Sequence, residues 1–222
     1  DRDGREDVFI GGAAGQAGRL YLQVADGQFR ASASQPWQAD SAAEDIGSLF
    51  FDADNDGDLD LYVVSGGNEW SKPGEMLQDR LYLNDGKGHF TRARDALPKE
   101  SFSGSCVAAA DMDGDGDLDL FVGARCIPGY YPFSAGSILL RNDLDKTTGI
   151  SHFTDITKEA GGEALFRAGM STDAVWTDID KDGWPDLVLA GDWMPITVFH
   201  NEKGQRLTDV TDEAGLKGTD GF

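Results

Sequence analysis

The sequence predicts an all-β protein built from four-stranded antiparallel blades, the architecture of a β-propeller. Three observations support this prediction. An acidic run of nine residues recurs along the chain, short stretches of alternating apolar residues flank each complete run, and a pair of strands joined by a turn follows. The complete runs begin at Asp52, Asp111 and Asp178, which places them 59 and 67 residues apart. A period of this length indicates blades or stacked repeats.

The acidic runs divide the chain into four units. The complete runs read DADNDGDLD, DMDGDGDLD and DIDKDGWPD, and the N-terminal stretch DRDGRED aligns as the same run without its first two positions. We therefore expect a single domain over residues 1–222, with repeat units at approximately 1–45, 46–104, 105–171 and 172–222.

Strands are predicted in the same order in each unit. GSLFF, SCVAAA and DAVWT precede the complete runs, and DVFIGG, DLYVVSGG, DLFVGAR and DLVLAGDW follow the four runs. Next come RLYLQVADGQF, RLYLNDGKGHF, SILLRNDL and ITVFHNEKGQRL, which we interpret as hairpins. Propellers have about four to eight blades. The first unit lacks its leading strand and the last unit ends where the next leading strand should start, so about four blades' worth of sequence predicts part of a larger ring of seven or eight blades. A closed four-bladed ring is the alternative.

The spacing of the aspartates indicates calcium. Aspartates at positions 1, 3 and 5 of a tight loop can converge on one ion, glycine at position 6 permits the sharp turn, and position 7 offers its backbone carbonyl. Trp and Arg at position 7 in two runs favour that backbone role. Positions 1, 3, 5, 7 and 9 are Asp52, Asp54, Asp56, Asp58 and Asp60 in the first complete run, Asp111, Asp113, Asp115, Asp117 and Asp119 in the second, and Asp178, Asp180, Asp182, Trp184 and Asp186 in the third. The N-terminal run supplies Asp1, Asp3, Arg5 and Asp7. We thus predict three full Ca²⁺ sites and one partial site.

Other cations and loop types fit less well. An EF-hand needs a glutamate at position 12 within a helix, whereas these runs have Val63, Val122 and Leu189 there, within predicted strands. Mg²⁺ prefers a tight octahedron and retains its waters. Zn²⁺ is disfavoured because no Cys or His lies within a run. A solvated acidic turn would explain one such run more readily than four in the same context.

The charge of the chain restricts its partners. The 222 residues include 40 acidic and 19 basic side chains, giving a net charge of −21. This charge argues against nucleic acids and anionic membrane surfaces as partners. No apolar run approaches the roughly 18 residues of a membrane-spanning helix.

Two further groups of residues are candidates for function. The connections after the second strands contain Trp70, Tyr130, Tyr131 and Phe133, which suit a ligand-binding surface or local packing. Cys106 and Cys126 flank the second complete run, and the sequence leaves open whether they form a disulfide.

The motif D-x-D-x-D-G-x-x-D followed by D-L-x-V-G-G/A resembles the FG-GAP or VCBS repeat of integrin-α-type propellers. The segments RLYLNDGKGHFT and LTDVTDEAGL are similar to FG-GAP proteins of the ASPIC/UnbV and cartilage-acidic-protein type. The resemblance covers essentially the whole chain. It implies an extracytoplasmic propeller with calcium in its hairpin loops, and it does not imply an enzyme.

These observations together predict a non-catalytic, calcium-stabilised module that is secreted or displayed at a cell surface, with a bacterial outer surface as the expected location. Its predicted role is binding or adhesion to a protein or glycan. The alternatives are the propeller domain of a carbohydrate-active enzyme, such as a polysaccharide lyase, and a purely structural repeat array.

Overall fold

The computed structural model describes residues 1–33, 35–68, 74–99 and 102–220, which contain four antiparallel sheets. The first sheet has strands β1 (Val8–Ile10), β2 (Arg19–Ala25) and β3 (Gln28–Ala31). The second has β4 (Glu44–Phe51), β5 (Asp60–Gly66), β6 (Arg80–Asn84) and β7 (Phe90–Arg92). The third has β8 (Ser103–Ala110), β9 (Asp119–Cys126), β10 (Ile138–Asn142) and β11 (Phe153–Asp155). The fourth has β12 (Met170–Thr177), β13 (Asp186–Asp192), β14 (Thr197–Asn201) and β15 (Leu207–Asp209).

Each sheet is a meander in which strands pair in the order of the sequence. This confirms the predicted all-β class and its four-stranded antiparallel units. The first strands of the second, third and fourth sheets begin at Glu44, Ser103 and Met170, each two residues before the predicted start of its unit. Within the described ranges, β1 pairs only with β2, so the first sheet has three strands.

Helices in the described part of the chain are short and lie in the connections. Two are 3-10 helices, Pro36–Asp40 and Glu75–Leu77. A π-helical turn, Thr157–Gly161, leads directly into α1 (Gly162–Phe166). In this part of the structure, no helix has the length and apolar character needed to cross a bilayer.

The sheets pack face to face along the series. Alternate residues of a strand point to opposite faces, and β5 uses both faces for packing. Leu61 and Val63 belong to an apolar cluster shared with the first sheet, whereas Tyr62 and Val64 belong to one shared with the third sheet. A further cluster joins the third and fourth sheets, with Phe121 as a fully buried member. Burial of both faces explains the nearly continuous apolar sequence of these strands.

The first strands of the four-stranded sheets lie on a common side. Strand β8 contacts both β4 and β12. This is the arrangement expected of the strands nearest the axis of a propeller, and the sheets are called blades from here on. Closure into a ring of seven or eight blades stays a prediction.

The structure does not contain the disulfide that the sequence left open, since Cys106 and Cys126 are both free. Two irregularities in the pairing of β8 with β9 place Cys106 opposite Gly123 and Cys126 opposite Ser103. Ser103 precedes Cys106 by three residues, so Cys126 lies about 10 Å from Cys106 along the strand direction. This distance exceeds the roughly 4.4–6.8 Å between the Cα atoms of a disulfide.

Candidate metal centres

The three complete acidic runs form the turns between the first and second strands of the second, third and fourth blades. We call them loop I (52–60), loop II (111–119) and loop III (178–186), and residues 1–7 the N-terminal loop. Each complete loop brings three carboxylates together, with one oxygen of each within 4.8 Å of the others. The groups are Asp52, Asp54 and Asp60 in loop I, Asp111, Asp113 and Asp115 in loop II, and Asp178, Asp180 and Asp182 in loop III. Asp180 and Asp186 form a further group with His200.

Backbone N–H groups hold these carboxylates inside the turn. In loop III, Gly183 donates its N–H to Asp178 across 3.0 Å, Asp182 to Asp180 across 3.1 Å, and Trp184 to Asp182 across 2.9 Å. Loops I and II contain the same three bonds. The tight path requires left-handed backbone at position 6, where Gly183 has φ +96.

The aspartate at position 9 anchors each loop to the third strand of its blade. The Asp60 carboxylate accepts from the N–H groups of Ala53 and Asn84, both across 2.8 Å. Asp119 and Asp186 make the equivalent bonds. Burial raises the pKa of Asp60 and of Asp119 to about 7. Position 9 therefore has an anchoring role that the sequence did not reveal.

The donor set of the loops fits a hard divalent cation. In loop I, Asp52 Oδ1 is buried and makes no hydrogen bond within the described chain. Burial, together with the nearby carboxylates of Asp56 and Asp52, raises the pKa of Asp54. Burial and Asp115 raise that of Asp113 in the same way. Several carboxylate oxygens directed at one point, one of them without a partner, are the ligands that Ca²⁺ prefers.

The carboxylates at position 7 face neighbouring loops. Asp58 forms an ion pair with Arg2 of the N-terminal loop. Asp117 accepts from Asn55 Nδ2 at 2.8 Å and lies 3.3 Å from Lys146 Nζ. These side chains lie outside the close carboxylate groups, which leaves the backbone carbonyl of position 7 as the predicted metal ligand.

The N-terminal loop differs from the complete loops in the contacts of its carboxylates. Arg5 Nη1 lies 2.5 Å from Asp3 Oδ2, so a basic side chain already pairs with this carboxylate. Among the described residues, Asp1, Asp3 and Asp7 do not form a close group like those of loops I to III.

Consecutive loops contact each other through position 4. Arg2 donates to Asp56 O of loop I across 3.1 Å, and Asn55 donates to Gly116 O of loop II across 3.0 Å. Gly114 of loop II packs so closely on loop III that a Cβ added there would lie 2.9 Å from Trp184 Cη2. Position 4 is left-handed throughout, with φ +59 at both Arg2 and Asn55.

Asparagines at the ends of third strands also join neighbouring blades. Asn142 donates its side-chain amide to Ala53 O across 2.8 Å, and Asn201 donates to Met112 O across 2.9 Å. The only sequence signal was the repeated asparagine in RLYLN, SILLRN and TVFHN, which sequence reasoning did not use.

The aromatic candidates lie on a surface to which the structure adds Trp193. Tyr130, Tyr131 and Phe133 are exposed, and the Trp193 side chain of the next blade is 76% exposed. Trp193 Nε1 donates to the Tyr131 hydroxyl across 3.2 Å. Trp70 lies outside the described residues. We refer to Tyr130, Tyr131, Phe133 and Trp193 as the aromatic patch.

Comparisons with known proteins identify relatives of the chain. A model of the FG-GAP-like repeat matches residues 1–63 and 52–122. Cartilage acidic protein 1 of Homo sapiens is 31% identical over 192 residues, covering 83% of this chain and 26% of that protein. Its Mus musculus counterpart is also 31% identical over 192 residues, covering 83% of this chain and 27% of its own length. The chain thus spans about a quarter of the length of these curated relatives.

Proposed function

Because the chain belongs to the FG-GAP-like repeat family, we propose that it is a non-catalytic, calcium-stabilised propeller module. It acts outside the cytoplasm, secreted or at a cell surface, and binds a protein or a glycan. The observation that carries this proposal is the recurrence of a close carboxylate group in three successive blades. The relatives named cartilage acidic protein 1, each 31% identical to this chain over 192 residues, support it.

Calcium would stabilise the folded blades. The groups that would hold the ions are the three carboxylates in each of loops I to III. When bound, Ca²⁺ supplies positive charge that offsets the mutual repulsion of these carboxylates. The backbone N–H bonds from positions 5, 6 and 7 direct the carboxylates inward. We assign residues 1–222 to one propeller domain, as consecutive blades of a larger ring.

The aromatic patch is the surface that we assign to partner binding. Contiguous exposed apolar side chains commonly mark interaction sites. Trp193 has φ +58, a left-handed conformation that is unusual for a bulky residue and is associated with functional sites. Its neighbours fix the backbone, because Asp192 pairs with Arg125 across 2.7 Å and Met194 is buried. The fold thus holds the indole ring of Trp193 in solvent at a defined position.

A binding assay on cells and on immobilised molecules tests the assignment of the aromatic patch to partner binding. The purified chain is applied, in calcium, to cells and to immobilised glycans and matrix proteins, alongside a double variant with Phe133→Ser and Trp193→Ser. We expect the double variant to keep its melting temperature and to lose at least tenfold in binding. Phe29→Ser is the matched control, because Phe29 is an exposed aromatic residue of the first blade.

Equal binding by the double variant and the parent chain would contradict the role of the aromatic patch. Turnover of an acidic polysaccharide by the chain would favour the alternative of a carbohydrate-active enzyme.

A further inference from the structure

A histidine nitrogen lies beside loop III, where the sequence did not place it. His200 lies in β14, distant in sequence from the loop, and folding brings its Nδ1 to 3.0 Å from Asp186 Oδ1 and 3.5 Å from Asp180 Oδ2. One donor atom from each of His200, Asp180 and Asp186 lies within 4.8 Å of the other two. They come from the body of the loop, from the first residue of β13 and from β14.

The two separations measured from His200 Nδ1 match those between ligands of a small metal ion. Zn²⁺ binds imidazole nitrogen and carboxylate oxygen at about 2.0–2.2 Å. Ligands at that distance are about 3.3 Å apart in a tetrahedron and about 3.0 Å apart in an octahedron, by simple geometry from those bond lengths. The observed distances from Nδ1 to the two carboxylates, 3.0 and 3.5 Å, lie on either side of the tetrahedral value.

The lone pairs of the two carboxylates and of the imidazole are also suitably placed for a metal ion. Asp186 Oδ1 accepts the N–H of Asn201 across 2.8 Å, which holds the carboxylate in place beside the imidazole. Asp180 uses Oδ1 for the N–H of Asp182, so the oxygen facing His200 is Oδ2. A lone pair on Nδ1 directed at two carboxylate oxygens is repulsive unless a proton or a cation lies between them.

Only loop III has this donor set among the three complete loops that the structure describes. His200 precedes the asparagine at the end of its third strand. The residues at the equivalent place in the other blades are Leu83 and Arg141, of which one is apolar and the other pairs with Asp143 across 2.8 Å. The chemical difference between the loops therefore lies in one side chain of the third strand.

We propose that His200, Asp180 and Asp186 form a binding site for a first-row divalent transition-metal ion such as Zn²⁺. Mixed imidazole and carboxylate ligands suit such ions, whereas Ca²⁺ takes oxygen ligands. Asp180 also belongs to the carboxylate group assigned to calcium. The transition metal therefore lies beside the calcium position of loop III and shares this carboxylate with it.

Titration of the calcium-loaded protein with Zn²⁺ tests the proposal. Calorimetry is expected to show one Zn²⁺ bound per chain, and His200→Gln is expected to weaken that binding at least tenfold. A second measurement follows the imidazole ¹⁵N resonances, where Zn²⁺ should shift the His200 signal selectively. The number of calcium ions bound by His200→Gln should equal that of the parent protein, which separates this test from the proposed role of calcium.

His89→Gln is the matched control. His89 Nδ1 also lies near an aspartate, 3.2 Å from Asp85 Oδ2, but the pair is exposed and belongs to no described group of three ligands. This variant should bind Zn²⁺ as the parent protein does. Unchanged Zn²⁺ affinity in His200→Gln, or an unshifted His200 resonance at saturating Zn²⁺, would overturn the proposal and leave His200 as a hydrogen-bond donor to Asp186.

Discussion

Asn201 donates its side-chain amide to the carbonyl oxygen of Met112 across 2.9 Å, although the two residues are 89 positions apart. Its backbone N–H donates to Asp186, the anchoring aspartate of its own loop. A single buried asparagine therefore connects loop II of the third blade to loop III of the fourth blade. The geometry of the acidic loops and the packing of the blades depend on the same residue.

Replacing this asparagine should destabilise the protein more than replacing its counterpart in the second blade. Asn201→Ala removes the bond to Met112 O, and leaving a buried carbonyl unsatisfied costs about 1–3 kcal/mol. Asn84 is the control, because its side-chain oxygen accepts a backbone N–H of the following turn, as that of Asn201 does. Within the described residues, the Asn84 amide donates only to Leu59 O of its own loop. Denaturant unfolding of both variants measures the difference. Equal losses would contradict a special role for the contact between blades.

Removal of calcium should lower the melting temperature. At ten times Kd, each of three sites would contribute about 1.4 kcal/mol to the free energy of unfolding. For a domain of this size, 1 kcal/mol shifts the melting temperature by about 2–4 °C, so we expect a decrease of roughly 10 °C in excess chelator. Calorimetry measures it, with restoration by added Ca²⁺ as the control. An unchanged melt after verified metal removal would exclude calcium as the stabilising ion.

Two aspartates of loop I should respond differently to neutralisation. Asp54→Asn removes a carboxylate of the close group, so the calcium bound per chain should fall from three ions to two. Asp58→Asn alters a side chain that faces Arg2, and it should leave the stoichiometry at three. Calcium-binding calorimetry distinguishes these outcomes. Loss of an ion in Asp58→Asn would show that its carboxylate, rather than its carbonyl, binds the metal.

The metal-free protein should become more stable as the pH falls from 8 to 5. Burial raises the pKa of Asp60 and of Asp119 to about 7, whereas an unfolded aspartate has a pKa of about 4. Between these values the folded state holds protons that the unfolded state does not. The stabilisation is fully present below the unfolded pKa and is lost as the pH rises through 7.

Thermal melts in chelator across this pH range measure the effect. In calcium the dependence should reverse, because protons compete with the ion for the carboxylates of the close groups, of which Asp60 is one. Parallel pH dependences with and without calcium would contradict this linkage.

The sequence was sufficient to predict the loops because their determinants are local. The aspartates of one loop lie within nine residues, and the flanking strands are directly adjacent in the sequence, so the repeated pattern reveals both. The contacts of Asn201 with Met112 and of Arg2 with Asp58 join separate repeats. Nothing in the local pattern specifies which repeats become neighbours or how they are oriented.

The same reasoning explains what sequence analysis missed. The sequence disfavoured Zn²⁺ because no Cys or His lies within an acidic run, yet the pairing of β13 with β14 brings His200 to loop III. Trp193 was part of a predicted strand, and its φ of +58 instead projects it beside Tyr131. The separation of Cys106 from Cys126 depends on two irregularities of strand pairing that alternation alone does not predict.

The contacts from position 4 of one loop to the following loop run in one direction only. Arg2 of the N-terminal loop reaches loop I, Asn55 of loop I reaches loop II, and Gly114 of loop II adjoins loop III. Such head-to-tail contacts are heterologous, like those between subunits of a cyclic oligomer, and they can be repeated without limit unless the rotation closes them. The loops therefore fix the polarity of the series, and the angle between adjacent sheets would set the number of blades in a closed ring.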